Sequence, residues 1–361
     1  MTVSSVVHAD AAASVAETRN GADVVREFVG GLSTVLTSAV DKIKDVNDCA
    51  HVLALNARIE ASRAGVSGAA FSVVAQEMQS LSCRTDEIAS QMARETRASI
   101  ERLLEVVDSS VRGSRLSDMA LTNIDLIDRN LYERTCDVRW WATDSSLVDA
   151  LTTKSPEAVA HASHRLGVIL DAYTVYHDLV LCDLHGRVLA NGRPDAFSAV
   201  GQNVASSTWF EAARRTASGE QFGFQSAHRS KLTGDRNVLI YSCGVREGGQ
   251  AHGTMIGVLG IVFNWEDFAQ TIVRQTPLCD SERASSRCCI CDSQGNLLAD
   301  TSNEQLLGKL DSDLVDALFH ETKNFKLMDW NGRPACVAHA RAPGFETYTT
   351  GWHSVIVQRL S

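Results

Sequence analysis

Three groups of residues in this 361-residue chain have types and spacings that could do chemistry. The densest is Cys288-Cys289-x-Cys291. Zinc sites ordinarily add a second cysteine or histidine pair at fixed spacing, and none stands nearby. Adjacent Cys288 and Cys289 on a strand would point to opposite faces, so these thiols read as small core residues. Redox sensing is the alternative and has no further support. His161 and His164, at i and i+3, share a helical face but lack a third ligand, and they read as surface histidines. His185, in Leu184-His185-Gly186, reads as an exposed turn residue. The chain contains no GxSxG, no P-loop, no HExxH and no GxGxxG after a strand. The expectation is a protein that is not an enzyme and holds neither metal nor cofactor.

The elements that must position any site come next. Hydrophobic residues make up 44% and charged residues 22% of the chain, as in a globular protein of two or three domains. The net charge of −10 argues against a nucleic-acid binder, which needs a basic face. No apolar run approaches the roughly 18 residues of a membrane helix; Met255 to Phe263 is the longest candidate. With no signal-peptide pattern at the start, the expectation is a cytoplasmic protein. The ten scattered cysteines fit that compartment as free thiols.

All five prolines lie after residue 155, which leaves the first 155 positions free to be helical. Val25, Val29, Leu32, Leu36, Ala39, Ile43, Val46, Ala50, Leu53 and Ala57 alternate at spacings of four and three, the seam of a coiled coil. Gly65 and Gly68 interrupt it. Val74, Met78, Leu81, Thr85, Ile88 and Met92 continue it on a returning helix, with a stutter near Arg94 to Ser99. Short turns between helices fold them antiparallel, and two such hairpins would bury their stripes as a homodimeric four-helix bundle. A hairpin packed within one chain is the alternative. After Gly113 the helical pattern resumes from Leu116 to Leu151, either as a connecting helix or as a single long rod with the returning arm; in it Trp140 and Trp141 read as packing onto the next domain, with a ligand wall as the other option. Strand-like text follows, with a repeat: LCDLHGRVLAN (Leu181 to Asn191) and ICDSQGNLLAD (Ile290 to Asp300), each a predicted β-hairpin. Further strands are expected at Asn237 to Val245, Gly253 to Phe263, Ala335 to Ala340 and Ser354 to Gln358.

The turn between the long helices carries a resemblance. Asn56, Glu60, Arg63, Gly65, Gly68, Phe71 and Val74 stand where the signalling tip of methyl-accepting chemotaxis proteins keeps its signature residues. Read without it, Glu60 and Arg63 are an ordinary i, i+3 ion pair worth tenths of a kcal/mol, ~0.2–0.5. The resemblance implies that Asn56, Glu60 and Arg63 join receptor dimers into larger clusters. It also implies that the turn and Phe71 to Val74 contact the chemotaxis histidine kinase and its coupling protein. The family's turn reads A-G-E-x-G-R-G-F, whereas this chain reads Ala64-Gly65-Val66-Ser67-Gly68-Ala69-Ala70-Phe71. Val66 and Ala69 replace an acid and a base, so that contact is expected to be weakened or altered. No long methylation bundle accompanies the hairpin, which speaks against reversible methylation.

From about residue 115 onward the chain resembles the double Cache sensor, a PAS-like ligand-binding module of bacterial receptors. In amino-acid-binding members an R-x-W-Y element grips the ligand carboxylate and a later Asp its ammonium. Here the element reads Ser207-Thr208-Trp209-Phe210, and the acidic position is Asn264. Both ends of the charge pair are missing. The resemblance therefore implies a pocket for another small molecule, lined by Trp209, Phe210, Phe224 and Tyr241 with Asn264 as a polar contact; the aromatics as plain core is the competing reading.

The expected fold class is α+β: a long antiparallel helical hairpin followed by two PAS-like Cache lobes with antiparallel sheets. The expected boundaries are a flexible 1–20, the hairpin 21–112 with its tip near 65–69, a connecting helix 113–151, a first lobe 152–278 and a second lobe 279–361. The function that follows is a cytoplasmic chemoreceptor-like transducer with a small-molecule ligand, no nucleic acid and no membrane span. The alternative is a ligand-binding Cache protein whose hairpin only dimerises it, without control of a kinase.

Overall fold

The computed structural model describes residues 21–360, so the expectation of a flexible 1–20 lies outside the described residues. The chain divides into two units, Met1–Arg112 and Gly113–Ser361.

In the first unit α1 (Gly21–Arg63) and α2 (Ala69–Trp141) are joined by a single tight turn, Gly65–Gly68. The arms meet along small residues. Ala61 and Gly68, Ala54 and Ala75, Asn47 and Ser82, Val40 and Ala89 lie at successive heptad steps out from the turn, and all are buried. Asn47 Nδ2 donates to Ser82 O at 2.8 Å between the arms. A buried polar pair of this kind fixes register at some cost in stability. The large residues of the expected seam, whose expected burial is against a second hairpin, do not close this one. Val29 is buried, but Val25, Leu32, Ile43, Val46, Leu53, Leu81, Ile88 and Met92 are exposed. Two stripes run side by side on each arm. The small one closes the hairpin because it lets backbones approach, and the large one is left facing outward.

Past Gly113 the single-rod option holds as far as Trp141: α2 is one helix from Ala69 to Trp141. Gly113 is a packing glycine, since a Cβ there would fall 2.1 Å from the Phe325 ring. The helix stops instead at Ala142–Asp144. There Asp144 accepts from Ser146 N at 2.9 Å and caps α3 (Ser145–Thr153). Ser155, with Pro156 in the first turn, caps α4 (Pro156–Ala172).

In the second unit the repeat seen in the sequence becomes two sheets of one design. The first contains β1 (Tyr176–Asp183), β2 (Val188–Asn191), β3 (Gly223–Ser230), β4 (Arg236–Arg246) and β5 (Met255–Phe263), with α5 (Thr208–Arg214) before β3 and α6 (Trp265–Arg274) after β5. After α7 (Asp280–Ser285) the second contains β6 (Ser286–Cys291), β7 (Leu297–Asp300), β8 (Lys323–Asp329), β9 (Pro334–Arg341) and β10 (His353–Arg359), with α8 (Ser312–Leu318) before β8. The strand orders are β2-β1-β5-β4-β3 and β7-β6-β10-β9-β8. Both repeat hairpins turn alike: Asp183 Oδ1 accepts from His185 N and Arg187 N, and Asp292 Oδ1 from Gln294 N and Asn296 N. Gly186 and Gly295 supply the left-handed residue, φ 77° and 81°.

Alternation along the strands makes three cores. An inner core gathers Leu116, Ile124, Ile127 and Leu131 of α2 with Leu181, Tyr241, Ile261, Ile290 and Ile356 from both sheets. The outer face of the first sheet carries Val180, Cys182, Trp209, Phe210 and Ile240. The outer face of the second carries Cys289, Cys291, Leu314, Leu318 and Val355. Cys288 lies in the inner core and its neighbour Cys289 in the outer one. Trp141 packs edge-on against Tyr173 and Tyr176 at 5.2 and 5.5 Å. Trp140 does not share that role, being 70% exposed.

Candidate functional site

The tip is built by its two glycines. Gly65 has φ 60°, a left-handed turn that leaves open space around it. Gly68 is buried, and a Cβ on it would lie 2.1 Å from Ala61 O, so only glycine lets the second arm start this close to the first. Glu60, Ala61, Gly68 and Phe71 line a cleft of about 320 Å³ beside the turn. Glu60 accepts from Arg63 Nη1 at 2.7 Å with both side chains exposed, a pair worth at most about 1 kcal/mol. Asn56 lies on a separate groove of α1 with Cys49 and Val52. Val74 is exposed, Phe71 is 72% exposed and Val66, at the apex, 97%. The tip therefore presents apolar side chains where it turns, with its one charged pair set back on α1.

The five sensor candidates are not brought together. Trp209 and Phe210 are fully buried in the outer core of the first sheet, rings edge-to-face at 5.9 Å. Phe224 and Tyr241 lie on the opposite, inner face, 4.8 Å apart. Asn264 caps α6: its Oδ1 accepts from Asp267 N at 3.3 Å and its Nδ2 donates to Asp267 Oδ2 at 2.7 Å. Tyr241 joins the lobes, its hydroxyl 2.6 Å from that of Tyr348 in the β9–β10 connection. Burial pushes both phenols well above the usual range, so this bridge stays protonated.

The thiols and histidines singled out in the sequence are passive. Burial raises Cys288 to about 11 and Cys289 and Cys291 further, which keeps them as thiols. His161, His164 and His185 are exposed. Among the described residues no group of three or more His, Cys, Asp or Glu could hold a metal ion.

Sequence reasoning missed two features. Asp128 of α2 is fully buried and accepts from Gly344 N, Thr350 N and Thr350 Oγ1 at 2.9, 3.1 and 2.6 Å, tying the β9–β10 connection to the helix. His339 and His353 are buried on the outer face of the second sheet, and both ring nitrogens of His339 and Nδ1 of His353 lack a hydrogen-bond partner among the described residues. Each such orphan costs about 1–3 kcal/mol. The signal was present: in Ala335-x-Val337-x-His339 and His353-x-Val355-x-Val357 a histidine interrupts an apolar alternation.

Comparison with known proteins places these parts. The Cache domain profile matches residues 78–361, and the methyl-accepting chemotaxis protein (MCP) signalling domain profile matches residues 3–129. The chain is 40% identical over 83 residues to the methyl-accepting chemotaxis protein McpS of Pseudomonas putida, a match covering 23% of this chain and 13% of McpS. It is 35% identical over 98 residues to McpB of Bacillus subtilis, covering 27% of this chain and 14% of McpB. The chain thus spans only a small part of these relatives. The ligand-binding domain of the Campylobacter jejuni chemoreceptor Tlp3, solved in complex with L-norvaline, shares the fold at TM-score 0.50 and 15% identity, over 70% of this chain and 92% of that one.

Proposed function

The chain belongs to the Cache domain family and carries an MCP signalling domain at its N-terminal end, and from that premise we propose that it is a chemoreceptor-like transducer in which a small molecule bound by the Cache lobes alters the helical hairpin. The observation that carries this reading is α2. One helix supplies Phe71 and Val74 beside the tip and Leu116 to Trp141 to the core of the sensor. A ligand shifts such a system only by binding two arrangements with different affinity. The Asp128 ties to the β9–β10 connection and the Tyr241–Tyr348 bridge give two arrangements something to differ in.

The partners follow from the surfaces. The exposed stripe of Leu32, Ile43, Val46, Leu53, Leu81 and Ile88 fits a second copy of the hairpin, making a four-helix bundle. Asn56, Glu60 and Arg63 then join dimers into clusters, while Phe71, Val74 and the turn meet a chemotaxis histidine kinase and its coupling protein in the cytoplasm. No helix among the described residues is long and apolar enough to cross a membrane. The protein acts by binding, without catalysis.

Capture of coupling protein and kinase by the purified chain tests the reading; no capture with or without ligand would sink it. One observation favours the second reading, a Cache protein whose hairpin only dimerises it. Val66 and Ala69 leave the apex without the charges that the chemoreceptor turn carries, while the apolar stripe for pairing is complete.

A further inference from the structure

The two lobes repeat one design, so their outer faces can be compared position by position. Cys182 of β1 lies opposite Val258 of β5; its repeat counterpart, Cys291 of β6, lies opposite His353 of β10. One step along the same strands, Gly260 faces Ser242 of β4 where Val355 faces His339 of β9. Val258 and Ser242 in the first lobe thus correspond to His353 and His339 in the second.

In the first lobe this face is finished. The Trp209 indole lies on Gly260, where a Cβ would come within 2.8 Å of the ring, and Ser242 Oγ donates to Trp209 O at 2.7 Å. In the second lobe it is not. The two imidazoles have the unmet nitrogens described above, and Phe319, at the end of α8, lies over them. Its ring is parallel to that of His353, 3.7 Å away at 3°, and 5.2 Å from His339; the imidazoles are 5.3 Å apart. The floor around them is apolar or thiol, including Cys289, Cys291, Leu318 and Val355. A planar ring already fits this slot, and polar groups beneath it lack partners.

We propose that the outer face of the second lobe is a binding site for a small planar monocarboxylate, whose ring replaces Phe319 on His353 and whose carboxylate accepts the hydrogen bonds that His339 and His353 do not make among the described residues. This deepens the sensor reading by giving its ligand a class and a place, and it rests on that reading only in requiring that a ligand binds.

The electrostatics support an anion that arrives with a proton. Burial holds both imidazoles near a pKa of about 4, hence neutral. Arg341 and His339 disfavour a proton on His353, and Asp292 favours it. Backbone carbonyls near His339, at Asn324 and Glu321, favour a proton on it, though neither meets hydrogen-bond geometry with the ring. A buried carboxylate beside them would favour the imidazolium, so the site takes a proton from solvent as it binds.

Calorimetric titration of the full chain with benzoate, and with benzyl alcohol as the uncharged control, tests this. Benzoate should bind with proton uptake, about tenfold more tightly at about pH 6 than at about pH 7.5, and the alcohol should bind much more weakly. Phe319→Ala, or the milder Phe319→Leu, should tighten benzoate by about tenfold by removing the competing ring. His339→Ser with His353→Val, the first-lobe residues, should weaken it at least about tenfold while the far-UV melt is kept. Trp209→Phe should change nothing. The proposal is overturned if neither the parent chain nor either Phe319 variant binds benzoate. It is equally overturned if the histidine replacements leave binding intact, or if Trp209→Phe abolishes it. Failure of kinase capture alone would count against the transducer reading and leave this site standing.

Discussion

Asp128 takes both the backbone N–H and the side-chain hydroxyl of Thr350, at 3.1 and 2.6 Å, and so fastens a connection of the second lobe to the helix that runs on to the signalling tip. The same carboxylate accepts from Gly344 N, and Arg129, one residue on, lies over the Phe345 ring at 4.6 Å. Hydrogen bonds to a charged group contribute about 1.5–3 kcal/mol each. Asp128→Ala should therefore lower the stability of the Gly113–Ser361 unit by roughly 2–4 kcal/mol. Amide exchange should accelerate first across Gly344 to Trp352. Unchanged protection there would mean that the connection is held by its aromatic contacts instead.

The two tip glycines should respond unequally to the same change. Gly65→Ala meets open space and strains only a left-handed φ, costing about 1 kcal/mol. Gly68→Ala drives a methyl into Ala61 O, so the turn must open, at a cost above about 2 kcal/mol. Urea unfolding followed by helicity, with proteolysis at the turn as a second measure, should rank Gly68→Ala well below Gly65→Ala.

How much of this was legible in the sequence varies with how local the signal is. Glycines at a turn and the turns of a repeated hairpin act within a few residues, and the text gave them correctly. So did buried strands such as Met255–Phe263, whose apolar run is continuous. The edge strands β3 and β8 did not show, because an edge strand is half exposed and its side chains are largely polar. The seam that closes each hairpin went unread for a related reason. Size marks the most apolar stripe, but Ala54, Ala61, Gly68 and Ala75 close the hairpin because they are small. Gly113 left open whether the helix runs on, because its role is to admit the Phe325 ring, a contact more than 200 residues away in sequence. The sensor candidates suffered most. Trp209 and Tyr241 are both aromatic and both buried, and only the packing of α5 on one face of the sheet and the register of β4 show that they lie on opposite faces.

Three buried histidines give the fold an acid-sensitive side. Burial lowers His177, His339 and His353 to about 4, with Arg236 adding to the effect at His177. Their folded values lie below the unfolded value of about 6.5, so the unfolded chain binds protons more readily. The stability they contribute is complete above about pH 6.5 and is lost progressively as pH falls towards about 4. Urea midpoints of the second unit should be flat above neutrality and fall through that window. His339→Ser with His353→Val should flatten the fall, leaving the share due to His177. An identical slope in that variant would show that these two groups titrate normally.

Pairing of hairpins should depend on the outward stripe and not on the seam within each chain. Ile43, Val46, Met78 and Leu81 border a largely apolar cleft of about 460 Å³, and Val46 and Leu81 are exposed. A carboxylate there would be desolvated in a dimer and harmless in a monomer. Leu81→Asp should weaken self-association by at least about 2 kcal/mol, some thirtyfold, with helicity little changed. Sedimentation velocity across a concentration series reads this directly, and an unmoved dimer would place the interface elsewhere.

Contact with the kinase assembly should hinge on the apex, where charge has been exchanged for apolar surface. Phe71 is exposed and makes no ring or cation contact among the described residues, so Phe71→Ala should leave stability within about 0.5 kcal/mol. If Phe71 is an anchor for the coupling protein, the same change should cost at least about tenfold in affinity, since interface aromatics carry much of the binding energy. Val66→Glu together with Ala69→Arg restores the charges that the chemoreceptor turn carries. Both positions are exposed, and neither change disturbs Gly65 or Gly68. If the present apex is a weakened version of that surface, the double variant should bind coupling protein more tightly than the parent chain. If the apolar apex is the working surface, Val66→Glu buries a charge against its partner and binding should fall. The sign of that one change, measured by calorimetry with purified coupling protein, separates a degraded contact from a redesigned one.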